Sequence, residues 1–435
     1  MTYSREIIDA MKKSGARVGD RVAAGSYEGL LMPSPELVKD SPHLVLKLDN
    51  GYNVGIHFTK ETAIEKRAAA PPASAKTAVK RVSEPKRAVS LLAVGGTIAS
   101  RVDYTTGGVS AAMTPEDFTE MVPELAGIAK IDMFPVSDAM SEDLAAADWI
   151  SIAKEAEKAL KKNEGVIITH GTDIMHYTSA ALSFMLTQPG KPVVITGAQR
   201  SSDRGSADGA MNLICSAHAA LSDIAEVGIC MHAEPNDSFA FFTRGTKVRK
   251  MHSTMRNTFR PINDYPLAKI WPDGKIEALG RSARKRGPTK TSIVFEDKIA
   301  LLKAYPGSDP KLLEHVISSG VKGVVVEGTG MGHVPTKAKK SWIPAITDAI
   351  KSGVPVVIGT QCIYGAVNTD VYSNLRILYH EAGAIPAGDM TPETAYVKLG
   401  WVLAQEKRLA KVREMMATNY VGELNDRLEP DMFLY

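Results

Sequence analysis

VIITHGTDIMHYTSAAL, residues 166–182, sets a short apolar run, Val166 to Thr169, ahead of a stretch with helical character. A continuous apolar run of this length reads as a strand buried on both faces, and the helix after it reads as a crossover. Between the two stand His170, Gly171, Thr172 and Asp173. In parallel sheets ligands collect beyond the carboxyl ends of strands. The threonine and the carboxylate therefore have two readings. They cap the next helix, or they do chemistry. In the second case another part of the chain must supply a base, because a threonine hydroxyl is a poor nucleophile until its proton is removed.

The same rhythm recurs on both sides. Strand-like runs VSLLAV, VIIT, VVIT, VGICM and FAFF alternate from Val89 onward with helical patterns over 145–162, 178–187 and 208–222. Thr114-Pro115-Glu116-Asp117 has the form of a helix start, with a capping hydroxyl, proline at the first position and acids in the first turn. A polar break at RSARKRGPTK (281–290) precedes a second run of SIVFE, IALLKA, GVVVE and PVVIG, with helices near 310–319, 338–351 and 391–405. Alternation of this kind means mostly parallel sheets with helices on both faces. The expected fold class is α/β, with two α/β domains of unequal size, 89–285 and 291–410, a C-terminal helix and tail over 411–435, and a site in the cleft between the domains.

The first 65 residues differ. A short helix over 3–14 precedes segments of β character, and Asp49-Asn50-Gly51 is a hairpin signal. They predict a small antiparallel β-barrel-like module. The stretch 66–88, rich in Ala, Pro and basic residues, reads as a linker. With Glu65 included it carries seven basic residues against two acidic ones, a local charge of +5, which suits a solvated spacer or an RNA or partner contact. The clusters at 281–290 and 407–413 allow the same two readings.

Composition narrows the class. The chain has 435 residues, 44% of them hydrophobic, and a formal net charge of only +3, so nucleic acid is not attracted by overall charge. Cys215, Cys230 and Cys362 are far apart and form no CxxC pair, which fits a reducing compartment; Cys362 is expected in buried packing. The opening MTYSREIIDAMKKSG lacks the apolar core of a signal peptide, and no apolar run approaches a membrane span. The expectation is a cytoplasmic protein without membrane contact. His170 and His176 have no third ligand nearby in the sequence, so no metal site is expected.

The residues just beyond each strand decide the chemistry. After VSLLAV comes Gly95-Gly96-Thr97-Ile98-Ala99-Ser100, after VIIT comes His170-Gly171-Thr172-Asp173, and after VVIT comes Gly197-Ala198-Gln199-Arg200. Three strands ending in small or hydroxyl residues suggest a floor of backbone N–H groups for an anion or oxyanion. There is no GxGxxG, GK[ST], GxSxG or HExxH pattern.

GGTIAS (95–100), HGTD (170–173) and the lysine of KVRKMHSTMRNTF (247–259), in this order, resemble the bacterial-type L-asparaginase/glutaminase family over about 89–410. The resemblance implies two asparaginase-like α/β domains and hydrolysis of a carboxamide. It implies Thr97 as nucleophile on a mobile hairpin, Tyr104 as its hydroxyl partner, and Thr172, Asp173 and Lys250 as a second catalytic group. It implies Ser141 at the substrate α-carboxylate, Glu142 at the ammonium, where many relatives carry glutamine, and Gly96 beside the substrate. The loop EGTGMGHVP (327–335) matches a region that reaches a neighbouring subunit's site, which makes a homodimer the expected unit; Met331 and His333 depart from the amides of many relatives. The N-terminal module and basic linker lie outside a plain asparaginase. With them the chain resembles the ammonia-releasing subunits of archaeal tRNA-dependent amidotransferases. These carry no cofactor of their own, and ATP and Mg are expected in a partner subunit that handles the tRNA. A free-standing asparaginase with an added domain, and a binding module on an inactive asparaginase fold, remain as alternatives.

The residues support that chemistry only if Lys250 loses its proton. Burial or a cationic neighbour would lower its pKa, and Arg249 could help if it points the same way. Asp173 could complete a Thr172–Lys250–Asp173 relay or pair with the substrate ammonium.

Overall fold

The computed structural model describes residues 3–32, 40–49, 53–59, 61–69, 87–95, 100–102, 109–111, 122–200, 207–279 and 283–435. The N-terminal module is an antiparallel sheet of β1 (Arg21–Ala24), β2 (Tyr27–Leu31), β3 (His43–Lys47), β4 (Asn53–His57) and β5 (Ile64–Ala68) in the order β4-β3-β2-β1-β5. Among the described residues β4 and β5 are the ends of that order, and the five-stranded antiparallel sheet forms the small β module expected from the sequence. The hairpin signal at 49–51 falls where Lys47 of β3 pairs with Asn53 of β4; Asn50 and Gly51 themselves lie outside the described residues. The helix Arg5–Ser14, capped by the Ser4 hydroxyl, buries Ile7 and Met11 against Val22, Leu31 and Leu44. Most of the basic linker, 70–86, and the helix start at 114–117 also lie outside the described residues.

The next sheet has eight strands. β6 (Ala88–Val94), β9 (Lys130–Ser137), β10 (Val166–His170), β11 (Val193–Thr196) and β12 (Val227–His232) run parallel. Between β6 and β9 in sequence, β7 (Ser100–Val102) and β8 (Val109–Ala111) form a separate antiparallel pair. β13 (Ala240–Arg244), β16 (Ala268–Ile270) and β17 (Ile276–Ala278) add an antiparallel edge, and β14 (Val248–Lys250) pairs with β15 (Phe259–Pro261) as a small ribbon. The order β17-β16-β13-β12-β11-β10-β6-β9 has one topological consequence. The chain leaves β6 for β9 on one side and returns to β10 on the other. Beyond the carboxyl ends of β6 and β10 the connections therefore diverge, which opens a crevice where open α/β sheets bind ligands. β10 is buried along its whole length, as a strand covered on both faces must be.

The smaller domain is a parallel sheet of β18 (Ile299–Lys303), β19 (Gly323–Gly328), β20 (Val356–Thr360) and β21 (Ile385–Pro386). SIVFE (292–296), expected as a strand, is an extended connection instead. Its backbone bonds the ends of two helices: Ser292 N–H donates to Met185 and Glu296 N–H to Gly400. The tip of the Phe295 ring lies against Gly400, where a Cβ would come within 2.4 Å of it. Those helices, Met175–Met185 and Pro392–Leu403, pack on each other through Phe184 and Trp401, ring centroids 5.6 Å apart, and Tyr177 and Tyr396, 6.1 Å apart. Both α/β units thus share one hydrophobic core that runs from Leu92 and Val166 to Val325 and Val357.

The basic clusters are largely tied into the fold. Arg284 pairs with the fully buried Glu226, which also takes Arg244, and Arg286 pairs with Glu164 and Asp223. In the second cluster Arg408 pairs with Glu406, Lys411 with Glu414, and Arg413 donates to the carbonyls of Gly383 and Ala384. Cys362 is exposed, against expectation, because it follows β20 onto a surface loop, where its own N–H donates to the Thr360 hydroxyl. The N-terminal module reaches the large domain through Lys47, 3.8 Å from Asp237. Asp237 also accepts from His232 at 3.1 Å and pairs with Arg256 at 2.6 Å. The His232 hydrogen bond, helped by the Arg256 charge and opposed by partial burial, holds the Asp237 carboxyl down to about 2.

Inside the domain junction the fully buried Lys247 meets Asp389 at 2.5 Å, and Asn425 supplies two further bonds to the same carboxylate. Losing one member of a buried pair strands the other charge. Lys247→Met is therefore expected to lower the unfolding free energy by about 3–5 kcal/mol, read from denaturant titration of the full chain.

Candidate active site

Lys250, at the end of β14, reaches into the crevice above β10. Its Nζ donates to Thr172 Oγ1 at 2.9 Å and to Asp173 Oδ1 at 2.7 Å. The threonine is buried, the lysine is partly buried, and the Asp173 carboxylate is largely exposed. One amine thus contacts both residues of the 172–173 pair, while the carboxylate keeps a face toward the crevice. Among these three groups the relay and the ammonium-pairing readings of Asp173 do not exclude each other: one oxygen meets Lys250, and exposure leaves the other side open to a ligand.

Ser141 sits in the turn Ser141–Asp143 after β9, buried against the loop of Thr172. Gly171 makes that approach possible. A Cβ there would lie 2.6 Å from Ser141 Cβ and 2.8 Å from its Oγ. The Ser141 hydroxyl is 3.4 Å from Glu142 Oε2. Gly95, at φ 56°, turns the end of β6 toward the same loop, its position closed to any Cβ by the Ala139 carbonyl at 2.3 Å. Gly96, Thr97 and Tyr104 lie outside the described residues. Ser141, Glu142, Thr172, Asp173 and Lys250 are thus gathered at neighbouring strand ends from three stretches of chain.

Two expectations change. Arg249 does not point toward Thr172. Successive residues of a strand face opposite ways, and its guanidinium lies 2.9 Å from Glu393 Oε1. The backbone after β11 is not a free anion floor either: the N–H groups of Gln199 and Arg200 donate to the Asp208 carboxylate at 3.0–3.1 Å. Burial raises the Asp208 pKa. Glu393 is a site residue that sequence reasoning does not find. Thr391-Pro392-Glu393 has the form of a helix start, but nothing in the chain's periodicity says that its carboxylate meets residue 249.

His170 and His176 flank the site. Nδ1 of His170 donates to the Gly171 carbonyl at 2.6 Å, which fixes the loop from below. Burial pulls its pKa down to about 4. Burial, then the charges of Arg249 and Lys250, pull His176 down to about 3. Both rings are therefore neutral at pH 7. Among the described residues no group of three or more His, Cys, Asp or Glu side chains is placed to hold a metal ion.

Comparison with known proteins places these parts in context. Residues 88–284 match the family model Asparaginase, N-terminal, residues 298–416 the Glutaminase/Asparaginase C-terminal domain, and residues 16–66 the GatD N-terminal domain. The D subunit of the glutamyl-tRNA(Gln) amidotransferase from Thermococcus kodakarensis is 49% identical over 99% of this chain and 99% of its own. That of Methanothermobacter thermautotrophicus is 42% identical over 98% of each. Among solved structures, the thermostable L-asparaginase from Thermococcus kodakarensis matches with a TM-score of 0.70 and 30% identity, covering 78% of this chain and 99% of that one.

The two histidines give the site a measurable acid sensitivity. Folded, they resist protonation down to about pH 4 and 3. Unfolded, they take up a proton below about pH 6.5. In that window the unfolded state holds more protons, so stability falls as pH falls, by up to about 1.4 kcal/mol per pH unit for each ring. Unfolding free energies measured from pH 7 to 4.5 are expected to show this slope, and His176→Gln to flatten it.

Proposed function

The chain belongs to the family of glutamyl-tRNA(Gln) amidotransferase D subunits, and from that membership we propose that it hydrolyses the carboxamide of L-glutamine, or L-asparagine, and hands the ammonia to a partner subunit that converts Glu-tRNA(Gln) to Gln-tRNA(Gln). The observation that carries this reading is the Lys250 amine within hydrogen-bond reach of the Thr172 hydroxyl and the Asp173 carboxylate. A nucleophile-activating base and a counter-charge for an amino-acid ammonium are what an amide-hydrolysing site requires.

The steps follow from those groups. The substrate α-carboxylate binds at Ser141, and its ammonium lies between Asp173 and Glu142. Thr97, with Tyr104 as its hydroxyl partner, attacks the carboxamide carbon. The proton of the Thr97 hydroxyl passes through Tyr104 to the amide nitrogen, the tetrahedral oxyanion collapses, the C–N bond breaks, and the nitrogen leaves as ammonia. The acyl group is then an ester on Thr97. Lys250, acting as the base, takes a proton from the Thr172 hydroxyl, which in turn takes one from a water. That water attacks the ester, the Thr97 oxygen leaves and takes back the proton that Lys250 had received, and glutamate, or aspartate from asparagine, is freed. Positioned proton transfer of this kind typically contributes about 10² to 10⁴ in rate.

In this reading the chain needs no cofactor. ATP and Mg act in the partner, a subunit of the E type, which also brings the tRNA, and the complex works in the cytoplasm. The core unit is a homodimer, with the 327–335 loop directed toward the second copy. The exposed Met331, Ile363 and Tyr372 on the loops of the smaller domain support an interface there. Because the matches to the amidotransferase subunits span the whole chain, N-terminal module included, a free-standing asparaginase is not favoured.

Thr172→Ala and Lys250→Met are expected to lower kcat for ammonia release by about 10² to 10⁴, with Glu142→Gln changing KM more than kcat. Release should be weak in the isolated chain and rise on adding the partner subunit and Glu-tRNA(Gln). Vigorous asparagine hydrolysis by the chain alone, indifferent to both additions, would overturn the proposal.

A further inference from the structure

Lys250 is held from behind by the other domain. The segment preceding it, 246–249, is gripped at three points by residues 389–394, which lead into and begin the helix Pro392–Leu403. Lys247 meets Asp389. The Thr394 hydroxyl donates to the Thr246 carbonyl at 3.0 Å. Arg249 pairs with Glu393 at 2.9 Å. The helix start is itself rigid: Pro392 presets the first turn, and the Thr391 hydroxyl accepts from the Thr394 N–H at 3.3 Å.

The Arg249–Glu393 contact is the one nearest the amine. Arg249 and Lys250 are neighbours on a strand, so fixing the guanidinium on one face fixes where the ammonium emerges on the other. The Glu393 carboxylate is buried, its Oε2 has no partner among the described residues, and its Oε1 lies 3.9 Å from His176 Nε2. His176 is neutral, since burial and the nearby cations hold its pKa at about 3. Among the described contacts Arg249 is therefore the cation that balances Glu393.

On the functional reading above, we propose that Glu393 is a positioning residue for Lys250: through Arg249 the smaller domain sets the distance from the amine to Thr172. The pair touches no substrate. Its effect belongs to the chemical step, because binding of the substrate carboxylate rests on Ser141 and its loop.

The test uses the full chain in complex with its partner subunit, at a temperature where circular dichroism shows each variant folded, with ammonia release from glutamine and from asparagine as the readout. Glu393→Gln is expected to lower kcat about 10- to 100-fold with KM nearly unchanged. Arg249→Met is expected to lower it as well. The double variant should be no slower than the slower single variant, because both residues act through the one contact. A Glu393→Gln enzyme with wild-type kcat, a rise in KM alone, or a double variant as slow as the product of the two single losses overturns the assignment. Should Glu393→Gln fail to fold, Glu393→Asp carries the test, a fall in kcat at constant KM supporting it and an unchanged kcat overturning it. A wild-type complex that releases no ammonia from either amide would sink the functional reading and this inference with it. Lys250→Met inactive beside a fully active Glu393→Gln would sink the inference alone.

Discussion

A lysine amine 2.9 Å from a hydroxyl that lies 78 positions earlier in the chain is the contact on which the remaining architecture converges. Neither group is reactive by itself. A threonine alcohol keeps its proton at neutral pH, and an ammonium has no lone pair to accept one. What makes the pair useful is position, and position comes from packing. The eight-stranded sheet brings the ends of β6, β9 and β10 side by side. The ribbon of β14 and β15 then lays Lys250 over the gap between them, and two glycines let the loops approach more closely than any side chain would permit.

Behind that arrangement stands the smaller domain, whose residues 389–394 contact the segment just before Lys250. Interfaces between domains of one chain are often loose and polar. Here helices 175–185 and 392–403 interlock through aromatic rings, and the core is continuous across the junction. Buried charges add orientation to the adhesion. Lys247 with Asp389, and Lys398 with Glu423, are pairs withdrawn almost completely from water. Such pairs add little net stability over apolar packing, but a misplaced partner is expensive. The first pair, which joins the two domains, favours the alignment in which its cation finds its carboxylate, and the second ties the C-terminal tail to the helix 392–403.

How much of this is legible in the sequence varies with the range of the interaction. Runs such as VIIT and VVIT become strands because an unbroken apolar stretch can only be covered from both sides. The helix over 146–162 buries Trp149, Ile152, Ala153, Ala156 and Leu160, a helical period plain in the sequence. SIVFE looks like a strand for the same apolar reason and is not one: its N–H groups are claimed by the ends of two helices, which local pattern cannot reveal. Likewise Lys250, Thr172 and Ser141 are found through motifs, whereas Glu393, Thr394 and Asp389 are not. Their partners stand more than a hundred residues away, and the only local sign, a capping threonine before Pro-Glu, says where a helix begins and nothing about what its carboxylate will meet. The direction of Arg249 is decided by strand alternation, once the neighbouring lysine is known to face the crevice.

The three cysteines lead somewhere else. Burial drives the thiol of Cys215 up to about 12 and that of Cys230 well above its ordinary value, so neither offers a thiolate to a reagent in solution. Cys362 alone stands in the open, and the loop that carries it touches the other domain three residues on, where the Gly365 N–H donates to Asn263 at 2.9 Å. A maleimide dye would therefore label the unmodified polypeptide at one address, beside the seam between the two halves, and would give spectroscopy a built-in gauge of their relative motion.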